Sequence, residues 1–155
     1  MTAPARVPGK YGRLPRDLTR RAPVFEDYLT GGLPEPPHQD VDRCSQVTNW
    51  PMYQNDTVGD CTVAGIFHCI GAMSVYAGHP EVLFTDDEVI KVYSAVSGYV
   101  PGDPSTDSGA TLQSVLQYGH DTGFVDTAGK THTVQVYAAM RDPNVSPTDL
   151  PSDPE

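Results

Sequence analysis

Long apolar runs, cysteine and, beyond residue 21, basic side chains are scarce in this 155-residue sequence. No apolar stretch approaches the roughly 20 residues that a membrane-spanning helix needs. The N-terminus also has no apolar segment of the kind found in signal peptides. We therefore expect a protein of the cytoplasm, or of a particle assembled there, with no membrane partner.

The three cysteines, Cys44, Cys61 and Cys69, are an odd number without secretory context. This argues against a disulfide framework and predicts at least one free thiol. The cysteines lack Cys-x-x-Cys spacing, and the adjacent His68 and Cys69 would point to different faces of a helix. No Gly-rich phosphate loop opens a helix after a strand, so we expect neither a metal nor a cofactor.

Basic charge is concentrated at one end of the chain. The net charge is -10, but residues 1–21 carry +5 and residues 22–155 carry -15. An acidic body repels nucleic acid, so we expect no nucleic-acid binding except through the basic arm 6–21. The simpler interpretation of that arm is a solubilising tail.

Proline divides the chain into three parts. Of the 15 prolines, seven lie in residues 1–40 and four in residues 143–154. Such composition favours extended segments that build no core. We therefore predict an extended leader (1–40), one folded domain (41–142) and an acidic Pro-rich tail (143–155).

The sequence of the domain predicts an α+β fold. Residues 61–77 are apolar on nearly every face, which predicts a buried central helix. A second helix is expected from a capping box at Thr85 and Glu88 to Gly98, and a third from about 112 to Gly123. Alternating residues predict one strand over 132–139. A lone strand leaves backbone groups unpaired, so we expect it to pair with the leader or with another chain.

Cys61 is the leading candidate for chemistry. It follows a turn-rich segment and opens the predicted central helix, where unpaired N–H groups and the helix dipole favour a thiolate. The same amides, with Asn55 or Gln54, could donate hydrogen bonds to an oxyanion. The alternative is a small buried cysteine at a helix start, and Cys69 is expected to be core.

The segment around Cys61 resembles papain-type cysteine peptidases. The residues that carry the resemblance are Val41-Asp42, Val47-Thr48, Gln54-Asn55, Gly59-Asp60-Cys61, Ala64 and His68. Residues 50–62, with the pattern Trp-Pro-Met-Tyr-x-Asn-Asp-x-x-Gly-Asp-Cys-Thr, are more similar to papain-like proteins of actinobacteria and their phages. The resemblance implies the helical half of a papain-like fold, followed by a short β stub.

By this resemblance Cys61 is the nucleophile position and Asn55 takes the place of the oxyanion-hole amide, where the family has Gln. The family supplies a catalytic His and Asn from a second, β-rich half that this sequence lacks. His68 lies about 10 Å along the helix from Cys61, too far to reach its sulfur. Among the five histidines, only His132 begins a strand that could approach the cleft, so it is the candidate base.

Two functions of different classes follow. The chain is a papain-like thiol hydrolase, with Cys61, Asn55 and a base from His132 or from a separate polypeptide. Alternatively, it is a non-catalytic structural or binding protein, such as a component of a phage particle.

Overall fold

The chain folds as a small α+β protein. A computed structural model describes residues 13–17, 23–31, 35, 38, 42 and 44–138. Most of the basic arm 6–21 and the whole tail 143–155 lie outside the described residues. Within them the elements are α1 (Cys61–Tyr76), α2 (Asp86–Ser97), α3 (Leu112–Asp121), β1 (Phe124–Val125) and β2 (Thr131–His132), with short 3-10 helices at Phe25–Tyr28 and Pro104–Thr106.

The ends of α2 and α3 follow from local side-chain chemistry. Thr85 caps α2 by accepting a hydrogen bond from the Glu88 N–H at 3.2 Å. Gly98 ends α2 in the left-handed region, with φ of 77°. Thr111 caps α3 by accepting from the Ser114 N–H at 3.0 Å. The predicted positions of these two helices are confirmed.

The core forms where one face of α1 meets α2 and β1. Phe67 of α1 stacks on Phe84, with ring centroids 3.8 Å apart, and meets Phe124 edge-on at 5.2 Å. Val89 and Val92 of α2 are fully buried in the same cluster. Burial of these side chains contributes about 1.5–3 kcal/mol each, so α1 is fixed mainly by this face.

The expectation that α1 is buried all round is wrong. Met73 is 68% exposed and Tyr76 is 59% exposed. Cys69, expected to be core, is also exposed. An apolar run shows that a helix can be buried but does not show how many of its faces find a partner. In this fold the second half of α1 packs on one side only.

The predicted strand over 132–139 is also wrong over the described residues. β2 covers only Thr131–His132 and pairs antiparallel with β1, with Phe124 opposite His132. Past β2 the chain leaves the ladder, because the Val134 N–H donates to the carbonyl of Gly119 in α3 at 3.0 Å. A Cβ on Gly119 would come within 2.8 Å of Val134, so the approach depends on glycine. Residue 139 lies outside the described part.

Part of the leader contacts the domain. The Leu14 N–H donates to the Ala110 carbonyl at 3.1 Å. Arg13, Leu14 and Tyr137 line a common hollow beside α3. The 3-10 helix Phe25–Tyr28 has no buried residue. The described leader therefore touches the fold next to residues 137–138, and Val24 makes a single β-bridge. None of the described leader residues joins the β1–β2 sheet, and pairing of the leader or of another chain with residues 132–139 stays a prediction.

Candidate functional site

Cys61 is the first residue of α1, and its side chain is half-buried and free of any disulfide. The preceding residue, Asp60, makes no side-chain capping bond, although its carbonyl accepts from the N–H groups of Val63 at 2.8 Å and Ala64 at 3.1 Å. The positive end of the helix dipole therefore has no side-chain cap. Negative charge is in general favoured near such a helix end, and Cys61 is the first residue of this one.

The loop before Cys61 has an unusual backbone. Tyr53 and Gln54 are consecutive non-glycine residues with positive φ, 51° and 67°. Such conformations cost of order 1–3 kcal/mol each and are concentrated at functional sites. They place Asn55 at the exposed surface of the loop, with its backbone N–H bonded to the Met52 carbonyl at 3.0 Å.

The two amides considered for an oxyanion differ in their partners. Gln54 donates from Nε2 to Asp86 at 2.7 Å, and its Oε1 accepts from Thr57 at 3.1 Å. No residue in the described ranges hydrogen-bonds the side chain of Asn55. The Asn55 amide is therefore the one available to a ligand.

Asp60 is a buried acid without a partner. Its side chain is fully buried, and neither carboxyl oxygen has a hydrogen-bond partner among the described residues. Burial, assisted by the charges of Asp107, Asp56 and Asp86, raises the pKa of Asp60 to about 7. Below that pH the side chain is neutral, so it does not oppose negative charge on the neighbouring Cys61 sulfur.

Asp107 and Tyr93 fix the turn that precedes α1. The Tyr93 hydroxyl donates to Asp107 at 2.5 Å, and the Gly59 N–H donates to both Asp107 oxygens at 3.1 Å. The Gly109 N–H in turn donates to the Tyr93 hydroxyl at 2.9 Å. Burial, followed by the bond to Asp107, raises the pKa of Tyr93. The Gly59-Asp60-Cys61 segment is thus held from α2 and from the loop after it.

His132 lies in a different environment. Its Nε2 is 2.7 Å from Asp126, whose other oxygen accepts from the N–H groups of Ala128 and Lys130, each at 2.8 Å. This contact with His132 lowers the pKa of Asp126. The ring lines a cavity of about 540 Å³ together with Cys69 and Ile66, and Cys61 is not part of its wall. The assignment of His132 as base stays a prediction, since no contact that the structure describes joins it to Cys61.

His68 is packed beside the loop. Its Nε2 is 2.9 Å from the Pro51 carbonyl, and its ring lies against Trp50 and Tyr53, with centroids 5.3 and 5.1 Å away. The ring therefore supports the segment that leads to Asn55. This agrees with the expectation that His68 does not act on Cys61.

The described residues also bear on metals and membranes. Across residues 44–138 and the shorter described segments, no group of three or more His, Cys, Asp or Glu side chains could hold a metal ion. The helices of this same part of the chain are too short or too polar to cross a membrane.

Comparison of the chain with protein-family models, with curated proteins and with solved structures finds no match. The resemblance to papain-like proteins therefore stays a prediction that rests on the motif of residues 50–62.

Proposed function

We propose that this chain carries the thiol half of a papain-like cysteine hydrolase. In this proposal the Cys61 sulfur attacks the carbonyl carbon of an amide or ester, and Asn55 donates a hydrogen bond to the resulting oxyanion. The substrate class is an acyl compound such as a peptide. A base from another polypeptide takes the thiol proton and passes it to the leaving group.

The observation that carries the proposal is the uncapped start of α1 at Cys61. Three features lie within residues 55–61: a half-buried free thiol, a helix end without a side-chain cap, and an Asn55 side-chain amide that no described residue hydrogen-bonds. The positive-φ pair at Tyr53 and Gln54 adds backbone strain next to them. Stabilised negative charge on the sulfur and a donor for the oxyanion are two of the needs of thiol-based acyl transfer.

Thiol-based acyl transfer also needs a base, and in this proposal a second polypeptide supplies it. His132 lines the cavity that contains Cys69, and Cys61 is not part of that cavity's wall. His68 is held against the Pro51 carbonyl. We therefore expect slow or no turnover from the chain alone, and turnover when a partner supplies a histidine above Cys61.

A small aldehyde tests the nucleophile and the oxyanion donor without a base. N-acetylglycinal labelled with ¹³C at the aldehyde carbon should add to Cys61, and the hemithioacetal carbon should appear by NMR. Cys61→Ala should remove the signal without loss of fold, whereas the matched Cys69→Ala should leave it unchanged.

Asn55 is tested with the same probe. Asn55→Ala should weaken the adduct by about five-fold, the value of one hydrogen bond. Asn55→Gln should retain it, because the longer side chain keeps the donor. An adduct that persists in Cys61→Ala, or one indifferent to Asn55→Ala, would contradict the assignment of the residue concerned.

The second candidate is a non-catalytic structural or binding protein, such as a component of a phage particle. The contacts of His132 favour it, because none that the structure describes joins this candidate base to Cys61. If Cys61 forms no aldehyde adduct in the folded protein, this second function is the better one.

A further inference from the structure

A second site lies on the open side of α1. An open cavity of about 540 Å³ is lined by the second half of α1, the segment 130–136 and part of α3. This volume is within the range of about 300–1,000 Å³ that is typical of small-molecule sites. Most of the wall is apolar, with side chains such as Ile70, Val82 and Val134. Among the described residues, this cavity has a larger volume than the hollow beside α3 that Arg13, Leu14 and Tyr137 line.

The charges on the wall have one sign. None of the acidic side chains among the described residues lines this cavity. The wall residues that can carry positive charge are Lys130, His79 and His132. Asp126 lies behind His132 and holds its Nε2 at 2.7 Å, and no acid within the described ranges forms an ion pair with the Lys130 ammonium group. An apolar cavity with the Lys130 ammonium group at its edge is complementary to an apolar molecule that bears one negative charge.

We propose that this cavity binds a small apolar carboxylate, with its hydrocarbon part against α1 and its carboxylate near Lys130. Cys69, which is exposed and lies on the wall, would be covered by the bound molecule. The site is independent of the proposed hydrolase function, because neither Cys61 nor Asn55 lines it.

Protection of Cys69 from alkylation tests the proposal in the unmodified chain. The probe is decanoate, with decanol and decyltrimethylammonium as matched molecules that share its tail but carry no charge or the opposite charge. At ten times its dissociation constant, decanoate should slow iodoacetamide labelling of Cys69 by about ten-fold, because only the unbound fraction reacts. Cys44, which is exposed and lies outside the cavity, should label at the same rate with and without decanoate.

Two variants then test separately the contribution of the Lys130 charge and that of the space inside the cavity. Lys130→Gln should weaken decanoate binding by about two- to five-fold, as for an exposed ion pair, and should leave decanol binding unchanged. Cys69→Trp fills the cavity from an exposed position and should abolish binding of both molecules, measured by calorimetry. The matched Cys44→Trp should bind both as the unmodified chain does.

Three results would overturn the proposal. Decyltrimethylammonium could protect Cys69 as well as decanoate, which would remove the preference for an anion. Decanoate could bind without protecting Cys69, which would place it elsewhere. Sedimentation could show a dimer in which Cys69 is already protected without any ligand, which would make a second copy of the chain the occupant.

Discussion

The two ends of α1 differ in how far other parts of the fold cover them. At the N-terminal end, Asp60 is fully buried and the turn before it is held by Asp107 through the Gly59 N–H. At the other end, Met73 is largely exposed and borders the open cavity of about 540 Å³. The sequence is apolar along the whole helix, so the difference comes from what packs against it.

This difference shows where each kind of function can reside. The turn at the N-terminal end is held by hydrogen bonds from Gly59 and Tyr93 to Asp107, which suits chemistry that needs a fixed geometry. The later part of the helix is apolar and open, which suits binding of an apolar molecule.

The largest expected effect comes from Asp60→Asn. The pKa of Asp60 is raised to about 7 in the folded protein, whereas an unfolded Asp titrates near 3.9. The acid's favourable contribution is therefore fully present below about pH 4 and is lost as the pH rises through about 7. Asp60→Asn should increase the free energy of unfolding by roughly 2–4 kcal/mol at pH 8 and change it little at pH 4.

The measurement is urea unfolding of both proteins from pH 4 to pH 8. The difference between variant and unmodified protein cancels the other carboxyl groups, including Asp126, whose lowered pKa has the opposite sign of pH dependence. Asp87→Asn is the matched control, since that side chain is exposed and its charge is not among those that raise the pKa of Asp60. A stability difference for Asp60→Asn that does not vary with pH would contradict a buried, neutral acid.

A smaller effect is expected at two glycines near the same helix end. A Cβ on Gly59 would lie 2.8 Å from Asp107 Oδ1 and 3.4 Å from the Tyr93 hydroxyl. Gly59→Ala should therefore destabilise the protein by about 1–3 kcal/mol, as overpacking does. Gly65 lies inside α1 with nothing within 4 Å of such a Cβ, so Gly65→Ala should stabilise it by about 0.5–1 kcal/mol.

Thermal unfolding measured by circular dichroism checks both glycine variants in the same buffer. A Gly59→Ala protein as stable as the unmodified one, or more stable, would mean that Asp107 and Tyr93 move aside for the added Cβ without cost. The contrast between the two ends of α1 would then lose its basis in packing.

The sequence predicted the features that depend on local chemistry. Thr85 and Glu88 mark the start of α2, and Gly98 marks its end, because caps act within one turn. The β1–β2 hairpin was not predicted, since two-residue strands are too short for an alternating pattern. The path after His132 depends on the bond from Val134 to Gly119, which joins residues 15 positions apart.

The residues of the candidate site also fall into those that the local sequence predicts and those that it does not. Cys61 at a helix start could be predicted from the turn residues before it and the apolar run after it. The partnership of Asp107 and Tyr93 with Gly59 could not, because no local spacing links an acid in a loop to a tyrosine on another helix. The exposure of Cys69 was missed because the apolar run of α1 does not reveal which face stays uncovered.

The relative reactivity of the three cysteines tests the central claim most directly. Cys44 and Cys69 are exposed and Cys61 is half-buried, so exposure alone ranks Cys61 last. If the uncapped end of α1 stabilises negative charge on its sulfur, Cys61 should be alkylated first by iodoacetamide at pH 6 in the folded protein. Peptide mapping by mass spectrometry gives all three rates in one sample. Faster labelling of both Cys44 and Cys69 than of Cys61, with Cys61 reacting only on unfolding, would contradict its role as a nucleophile.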